Sequence, residues 1–376
     1  MFQTKNKNYL ILKILLLSFF ILTISLFIIG SFFDMQINTW FAQGMDNYSL
    51  KIIVWIYEEL GMTQSFVFIF CFVAVILEVT YFSSNKSNKW KIILYIYYVA
   101  FLVYWITFNL IAIISAPNRN DGYGSGVNAI FFESQKIRQY ILIFLFVIES
   151  LSFICLFYYL RFKFSKRQDL LVNGYRVDAI KAFVIFLLTS LVVWIMKPTF
   201  GRPYFYSVDF ENIFYSEQMK AEWAQYWIQT GHTIKSWGYL NGTNVESVPY
   251  KEWWQVNDFF GNITSIFKPL GSGEPGWWNM DFPSGHMNSS FTILFAGYFF
   301  LGEKKKRKIN WYKWVIIVIW FIHINIMQYT QIISRTHWIT DTSFTISISL
   351  FALIINGAII DKIISKYNLK HNKNFR

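Results

Sequence analysis

The sequence predicts an all-α, polytopic membrane bundle of about eight transmembrane helices, and three observations carry that prediction. The 376-residue chain is 55% hydrophobic and only 15% charged, more apolar surface than one soluble core conceals. It contains eight apolar stretches of roughly 17–25 residues, each long enough to cross a hydrocarbon core as a helix. Lys and Arg collect in alternate segments between those stretches, as loops retained in the cytoplasm do.

In chain order, the first stretch is Leu10–Phe33. Lys5 and Lys7 precede it as they would a signal peptide, but it is too long and ends without a small-residue cleavage site, so it reads as a retained span. Ser49–Met62 is partly apolar, too short to span, and carries Glu58 and Glu59; an interfacial helix is expected there. Spans follow at Thr63–Phe82, Ile92–Ala116, Tyr140–Leu160 and Ala179–Met196. Pro198–Phe282 is then a long outer loop rich in Trp, at 223, 227, 237, 253, 254, 277 and 278. Loops of that length are structured or functional, and this one reads equally as an interfacial aromatic belt or as a lid over a site. Ser284–Leu301, Trp314–Ile333 and Trp338–Ile360 complete the set. The whole chain, 1–376, is expected to form one integral membrane domain, with 198–282 as an extracytoplasmic loop within it.

Charge placement gives the orientation. The formal charge is +12, and two thirds of the 34 Lys and Arg lie in one alternating set of segments that includes both termini. Both termini are therefore expected in the cytoplasm. The run Lys304–Lys308 reads as a topology determinant, and the basic excess calls for anionic lipid headgroups rather than nucleic acid as partner. Cys71 and Cys155 both sit in apolar runs, which argues against a disulfide framework or a thiolate zinc site. Sequons at Asn47, Asn241 and Asn262 are short enough to arise by chance. Glu78 and Glu149 within spans read equally as functional or structural carboxylates. His323 reads as a helix contact and His232 as a surface residue.

Three polar clusters fall at span ends on the one side expected to face outward. Lys197 and Arg202-Pro203 end the fifth span, Pro283-Ser284-Gly285-His286 opens the sixth, and Ser334-Arg335-Thr336-His337 with Asp341 joins the seventh to the eighth. Ser284 can cap a helix, Gly285 admits close backbone approach, and first-turn N–H groups attract an anion beside His286. His337 and Asp341 are four apart at a helix start, so the carboxylate can hold one imidazole nitrogen and leave the other free as nucleophile or base. Lys197, Arg202 and Arg335 supply three cations at the same mouth, for which phosphate is the natural ligand.

The order Lys…Arg-Pro, Pro-Ser-Gly-His, Ser-Arg…His-x-x-x-Asp resembles the type 2 phosphatidic acid phosphatase family, membrane relatives of bacterial acid phosphatases and vanadium haloperoxidases. The resemblance implies a metal-independent phosphoric ester hydrolase without cofactor. In it His337 attacks phosphorus to form a phosphohistidine, Asp341 orients His337, and His286 protonates the leaving oxygen. Lys197, Arg202, Ser284, Gly285 and Arg335 would bind phosphate. The substrate implied is a lipid phosphate monoester or diphosphate at the outer leaflet, and the third and fourth spans read as additions to the family core. Two motifs are shortened: four residues separate Lys197 from Arg202, and Thr336 alone separates Arg335 from His337. Alternative alignments place Tyr204 and Gln331 at those arginine positions. A lipid phosphotransferase sharing the chemistry, and a non-catalytic lipid-binding or scaffold member of the fold, are the competing readings.

Overall fold

The computed structural model describes residues 7–118, 135–167, 169–171, 173–215, 239–241, 244–256, 280–299, 301 and 309–372. The principal helices are α1 (Lys7–Ala42), α2 (Tyr48–Ser83), α3 (Asn88–Ser115), α4 (Gln135–Tyr158), α5 (Tyr175–Phe200), α6 (Gly285–Phe295), α7 (Trp311–Ile333) and α8 (Ile339–Asn372). Among the described residues, α1–α5 and α7 are long and apolar enough to cross a membrane, and α8 begins with a shorter apolar stretch, Ile339–Ile355. A polytopic helical bundle is what the sequence predicts. A three-residue hairpin, Tyr239–Asn241 against Asn244–Glu246, lies in the loop between α5 and α6. The Lys304–Lys308 run, His232, Asn262, and the tryptophans at 223, 227, 237, 277 and 278 lie outside the described residues.

The bundle is arranged around α6. Its residues from His286 to Thr292 are all buried, Ser289, Ser290 and Thr292 included, because α2, α5, α7 and α8 pack on every side of it. The sixth apolar stretch was expected to span over Ser284–Leu301. It is an 11-residue α-helix that passes into a 3-10 turn at Ala296–Phe299. A helix enclosed by protein need not match the thickness of the hydrocarbon, since its neighbours rather than lipid cover its ends. Phe291, Phe295, Met287, Trp320, Met327 and Ile346 form the core around it. Phe70, Leu94, Tyr98, Trp105 and Phe153 form a second cluster where α3 and α4 pack against α2. Around the perimeter Leu17, Ile21, Phe32, Ile96, Ile111, Ile154, Trp194 and Ile319 are exposed, the outward apolar face that acyl chains cover.

Two elements run further than the apolar pattern predicts. The first span was expected to end at Phe33; the helix kinks there and continues to Ala42. It continues because Gly30, Asp34 and Asn38, at successive four-residue steps, form a buried stripe against the start of α8. A Cβ on Gly30 would lie 2.8 Å from Ile339 Cγ2 and 2.9 Å from Thr340 Cγ2. The expected interfacial helix at 49–62 is the first part of α2, which runs unbroken for 36 residues from an Asn47 cap on Leu50 N–H. Its Glu58 and Glu59 are buried rather than facing water. Glu59 pairs with Arg138 of α4 at 2.6 Å, and Glu78 pairs with Arg161 at 3.1 Å. Thr63 donates to Glu149 at 2.7 Å, and His323 meets Gln64 at 2.8 Å, so these groups tie helices together.

The Gly30 contact sets the α1–α8 distance. Gly30→Leu should lower the melting temperature of the detergent-solubilised protein by several degrees, corresponding to roughly 1–3 kcal/mol of overpacking, whereas Ile29→Leu, at an exposed position of the same helix, should leave it unchanged. A differential thermal-shift measurement of the two variants checks this.

Candidate active site

Each of the three motifs is held by local structure that its sequence dictates. The helix α5 places Lys197 in its last turn and ends where Gly201 adopts φ 53°, a left-handed conformation that glycine takes without a Cβ penalty. Gly201 N–H closes on Lys197 O at 2.9 Å, and the chain turns Arg202 inward. Ser284 caps α6, its hydroxyl accepting from Met287 N–H at 3.4 Å. Gly285 follows, and among the described residues a Cβ there would find nothing within 4 Å, so no described side chain covers the first turn of α6.

The start of α8 is capped largely from another helix. The first-turn N–H groups of a helix have no partner within it. Here Ile339 N–H donates to Asn38 Oδ1 and Thr340 N–H to Asp34 Oδ1, each at 3.2 Å, and Trp338 N–H donates to Asp341 Oδ2 at 3.1 Å. Asn38 Nδ2 also donates to the carbonyl of His337 at 2.8 Å. The backbone on either side of His337 is thus fixed by α1 and by Gln331 O, which accepts from His337 N–H at 3.1 Å.

The two histidines meet. The rings of His286 and His337 are 6.1 Å apart and edge to face. His337 Nδ1 contacts Asp281 Oδ1 and lies 3.6 Å from Asp341 Oδ2, which leaves Nε2 as the nitrogen directed away from the carboxylates. Burial keeps the His337 imidazole below the ordinary value of 6.5, in its neutral form. Burial, and next the Asp341 charge, push Asp281 well above the carboxylate range. His286 Nε2 donates to the carbonyl of Glu58 at 3.1 Å.

The expected phosphate-binding cations are largely occupied by protein. Lys197 Nζ donates to the carbonyls of Met280 and Asp281, holding the segment that carries Asp281, and lies 5.9 Å from the Tyr204 ring. Arg202 is fully buried. Its Nη1 donates to Asp341 Oδ1 at 2.9 Å and Thr340 Oγ1 at 2.6 Å, its Nη2 to Asp34 Oδ2 at 2.7 Å, and its Nε to Lys251 O at 3.1 Å. The guanidinium stacks 4.5 Å above Trp338. Arg202 was expected to face phosphate and instead clamps Asp341, because a guanidinium so enclosed requires carboxylates. Arg335, at φ 62°, directs Nε to Asp209 at 3.1 Å. Lys197, Arg202, Ser284, Gly285, His286, His337 and Asp341 converge, whereas the Arg335 side chain turns toward Asp209.

Sequence reasoning missed Asp34, Asn38, Glu58 and Asp281. The four-residue spacing of Asp34 and Asn38 beyond the first apolar run was the available signal for a helix continuing into protein. Asp281, two residues before Pro283, carried none. Asp281, His337 and Asp341 offer ligand atoms within 4.8 Å of one another, the grouping among the described residues that could hold a cation.

Comparison with known families bears on the segment that carries these motifs. Residues 178–361, from the first turn of α5 into α8, match the PAP2 superfamily. This segment, just under half of the chain, is what resembles that superfamily. Members of the PAP2 superfamily are generally phosphatases, and the match suggests phosphatase-type activity on lipid-like phosphates. An uncharacterized protein of Mycoplasma capricolum subsp. capricolum is 26% identical over 365 residues, covering 92% of each chain. No solved structure matches. Helices α1–α4 lie outside the PAP2 match, yet Asp34, Asn38 and Glu58 come from them and bond to residues inside it.

The two carboxylates beside His337 should respond differently to amide substitution. Asp341→Asn removes the charge that Arg202 and the imidazole share, and should cost about a thousandfold in turnover. Asp281→Asn replaces a carboxyl already held toward its neutral form, and should cost about tenfold. Turnover of the two purified variants on one substrate checks the order.

Proposed function

We propose that this protein is a membrane phosphatase that hydrolyses a lipid phosphate monoester or diphosphate through a phosphohistidine on His337. The observation that carries this reading is the pair of imidazoles 6.1 Å apart at the first turn of α6, one with its Nδ1 on carboxylates and its Nε2 available. In the first step the Nε2 lone pair bonds to phosphorus as the P–O bond to the lipid breaks, and His286 gives its proton to the leaving oxygen. In the second, water attacks phosphorus, returns a proton to His286, and releases phosphate from His337. The α6 N-terminus at Ser284 and Gly285, with Lys197 beside it, supplies positive potential for the transferring phosphoryl group. The side chains account for nucleophile, acid and charge, so the reaction is proposed to be metal-independent.

If this reading holds, purified protein releases inorganic phosphate from a lipid phosphate panel in EDTA. His337→Ala should abolish turnover for every leaving group. His286→Ala should fail on lipid alkoxides yet lose much less on p-nitrophenyl phosphate, whose phenolate departs with little help. A wild type inactive across the panel, or His337→Ala as active as wild type, overturns it. Phosphate transfer to an added alcohol-bearing lipid in place of release would identify a phosphotransferase.

We infer an extracytoplasmic site with both termini in the cytoplasm from the placement of Lys and Arg. In a chain with Cys71 and Cys155 replaced by Ser, single cysteines at Trp254 and at Lys306 should divide under an impermeant thiol reagent on intact cells. Label is expected at 254 and none at 306; the reverse places the site on the cytoplasmic side.

A further inference from the structure

We propose that Glu58, on α2 and outside the three motifs, is the carboxylate partner of His286: its backbone carbonyl fixes the imidazole tautomer, and its side chain is a positioning group that stabilises the protonated form. The inference rests on the reading of His286 as the acid. A carbonyl oxygen can only accept, so the 3.1 Å contact between His286 Nε2 and Glu58 O puts a proton on Nε2. The nitrogen that gains and gives up the working proton is therefore Nδ1. Glu58 Oε1 lies 3.7 Å from that same Nε2, placing a carboxylate where the imidazolium charge forms.

The ring is held in place by the helix that carries Glu58. One turn on, Gly61 faces His286 so closely that a Cβ would sit 2.0 Å from its Cδ2. At the next turn Gln64 Nε2 donates to Ser290 Oγ at 2.8 Å, and Ser290 Oγ donates to His286 O at 3.0 Å. Glu58, Gly61 and Gln64 recur every three residues and form one face of α2 against α6. The Glu58 carboxylate is oriented from its other side by Gln331 Nε2, which donates to Oε2 at 2.9 Å. Gln331 Oε1 accepts from Thr336 at 3.1 Å, and Gln331 O accepts from His337 N–H. Carboxyl groups thus flank both histidines: Asp281 and Asp341 the nucleophile, and Glu58 the acid.

During cleavage the P–O bond breaks, the Nδ1 proton passes to the leaving oxygen, and Nε2–H stays on Glu58. When water attacks the phosphohistidine, its proton returns to Nδ1. Only the charged imidazolium gains from Glu58, so its effect should track the need for proton donation.

The test is Glu58→Gln, with Glu58→Asp as the conservative variant, each assayed on a lipid phosphate and on p-nitrophenyl phosphate across pH. Glu58→Gln is expected to lower kcat on the lipid alkoxide by about a hundredfold, to lose under tenfold on p-nitrophenyl phosphate, and to move the basic limb of the lipid profile to lower pH. The sign follows because removing the carboxylate lets the imidazolium lose its proton sooner as pH rises. Glu58→Asp should recover part of the lipid rate, and Glu58→Gln should add little to His286→Ala. Equal losses on both substrates with an unmoved pH profile mean that Glu58 only supports packing, and overturn the proposal; so does a variant indistinguishable from wild type. An inactive wild type on both substrates would instead remove the phosphatase reading on which the proposal stands.

Discussion

The enclosure of Arg202 is the constraint from which the rest of the site follows. A guanidinium without solvent must find acceptors for a fork of five N–H donors, and it must find negative charge. Asp34 from α1, Asp341 and Thr340 from α8, and Lys251 O from the loop after α5 provide them. No single helix could supply that set, so the ion cluster holds α1, the end of α5 and the start of α8 in one arrangement. Removing one partner would leave a buried charge uncompensated, at a cost of about 3–5 kcal/mol. The same contacts hold Asp341 fast and aim its second oxygen at Trp338 N–H and toward His337.

The two histidines are held by different parts of the bundle. His337 sits in a short link whose backbone is tied to Asn38 and Gln331. His286 rides on the enclosed helix α6 and is pressed by α2 at Gly61. Gln331 connects the two halves, since it bonds Glu58 through its side chain and His337 through its backbone. The distance between the rings is therefore set by packing between helices α2, α6, α7 and α8, and the site is as rigid as that packing.

The fold was legible where lipid dictates sequence. Apolar length alone located the spans, because a helix facing acyl chains can carry few polar residues. It failed where helices face protein. Asp34 and Asn38 looked like the end of a span, and Glu58 and Glu59 like a water-facing surface, because in a linear pattern a buried polar residue with a partner is indistinguishable from an exposed one. The motifs at 197–203, 283–286 and 334–341 stood out as clustered charges, and most of their side chains do converge. What the pattern could not give was direction: Arg202 and Arg335 are cations whose donors turn toward Asp341 and Asp209. Their partners are 139 and 126 residues away in the chain, a separation that no local spacing rule reaches.

That direction changes how an anion would be accommodated. The charge of Asp341 next to the nucleophile would repel phosphate if it stood alone, and Arg202 offsets it from the side remote from His337. Burial holds Asp281 toward its neutral carboxyl, which removes a second repulsive charge from the same place. Arg202 thus acts by offsetting the carboxylate that orients His337, rather than by reaching a ligand. In the phosphatase reading, direct contact with the phosphoryl oxygens then falls to the backbone at Ser284 and Gly285 and to Lys197. Among the described residues nothing lies within 4 Å of where a Cβ of Gly285 would be, so the first turn of α6 can approach a ligand without a described side chain in between. A site built this way depends more on helix geometry than on the number of arginines in its motifs, and the shortened spacings around Arg202 and Arg335 are compatible with it.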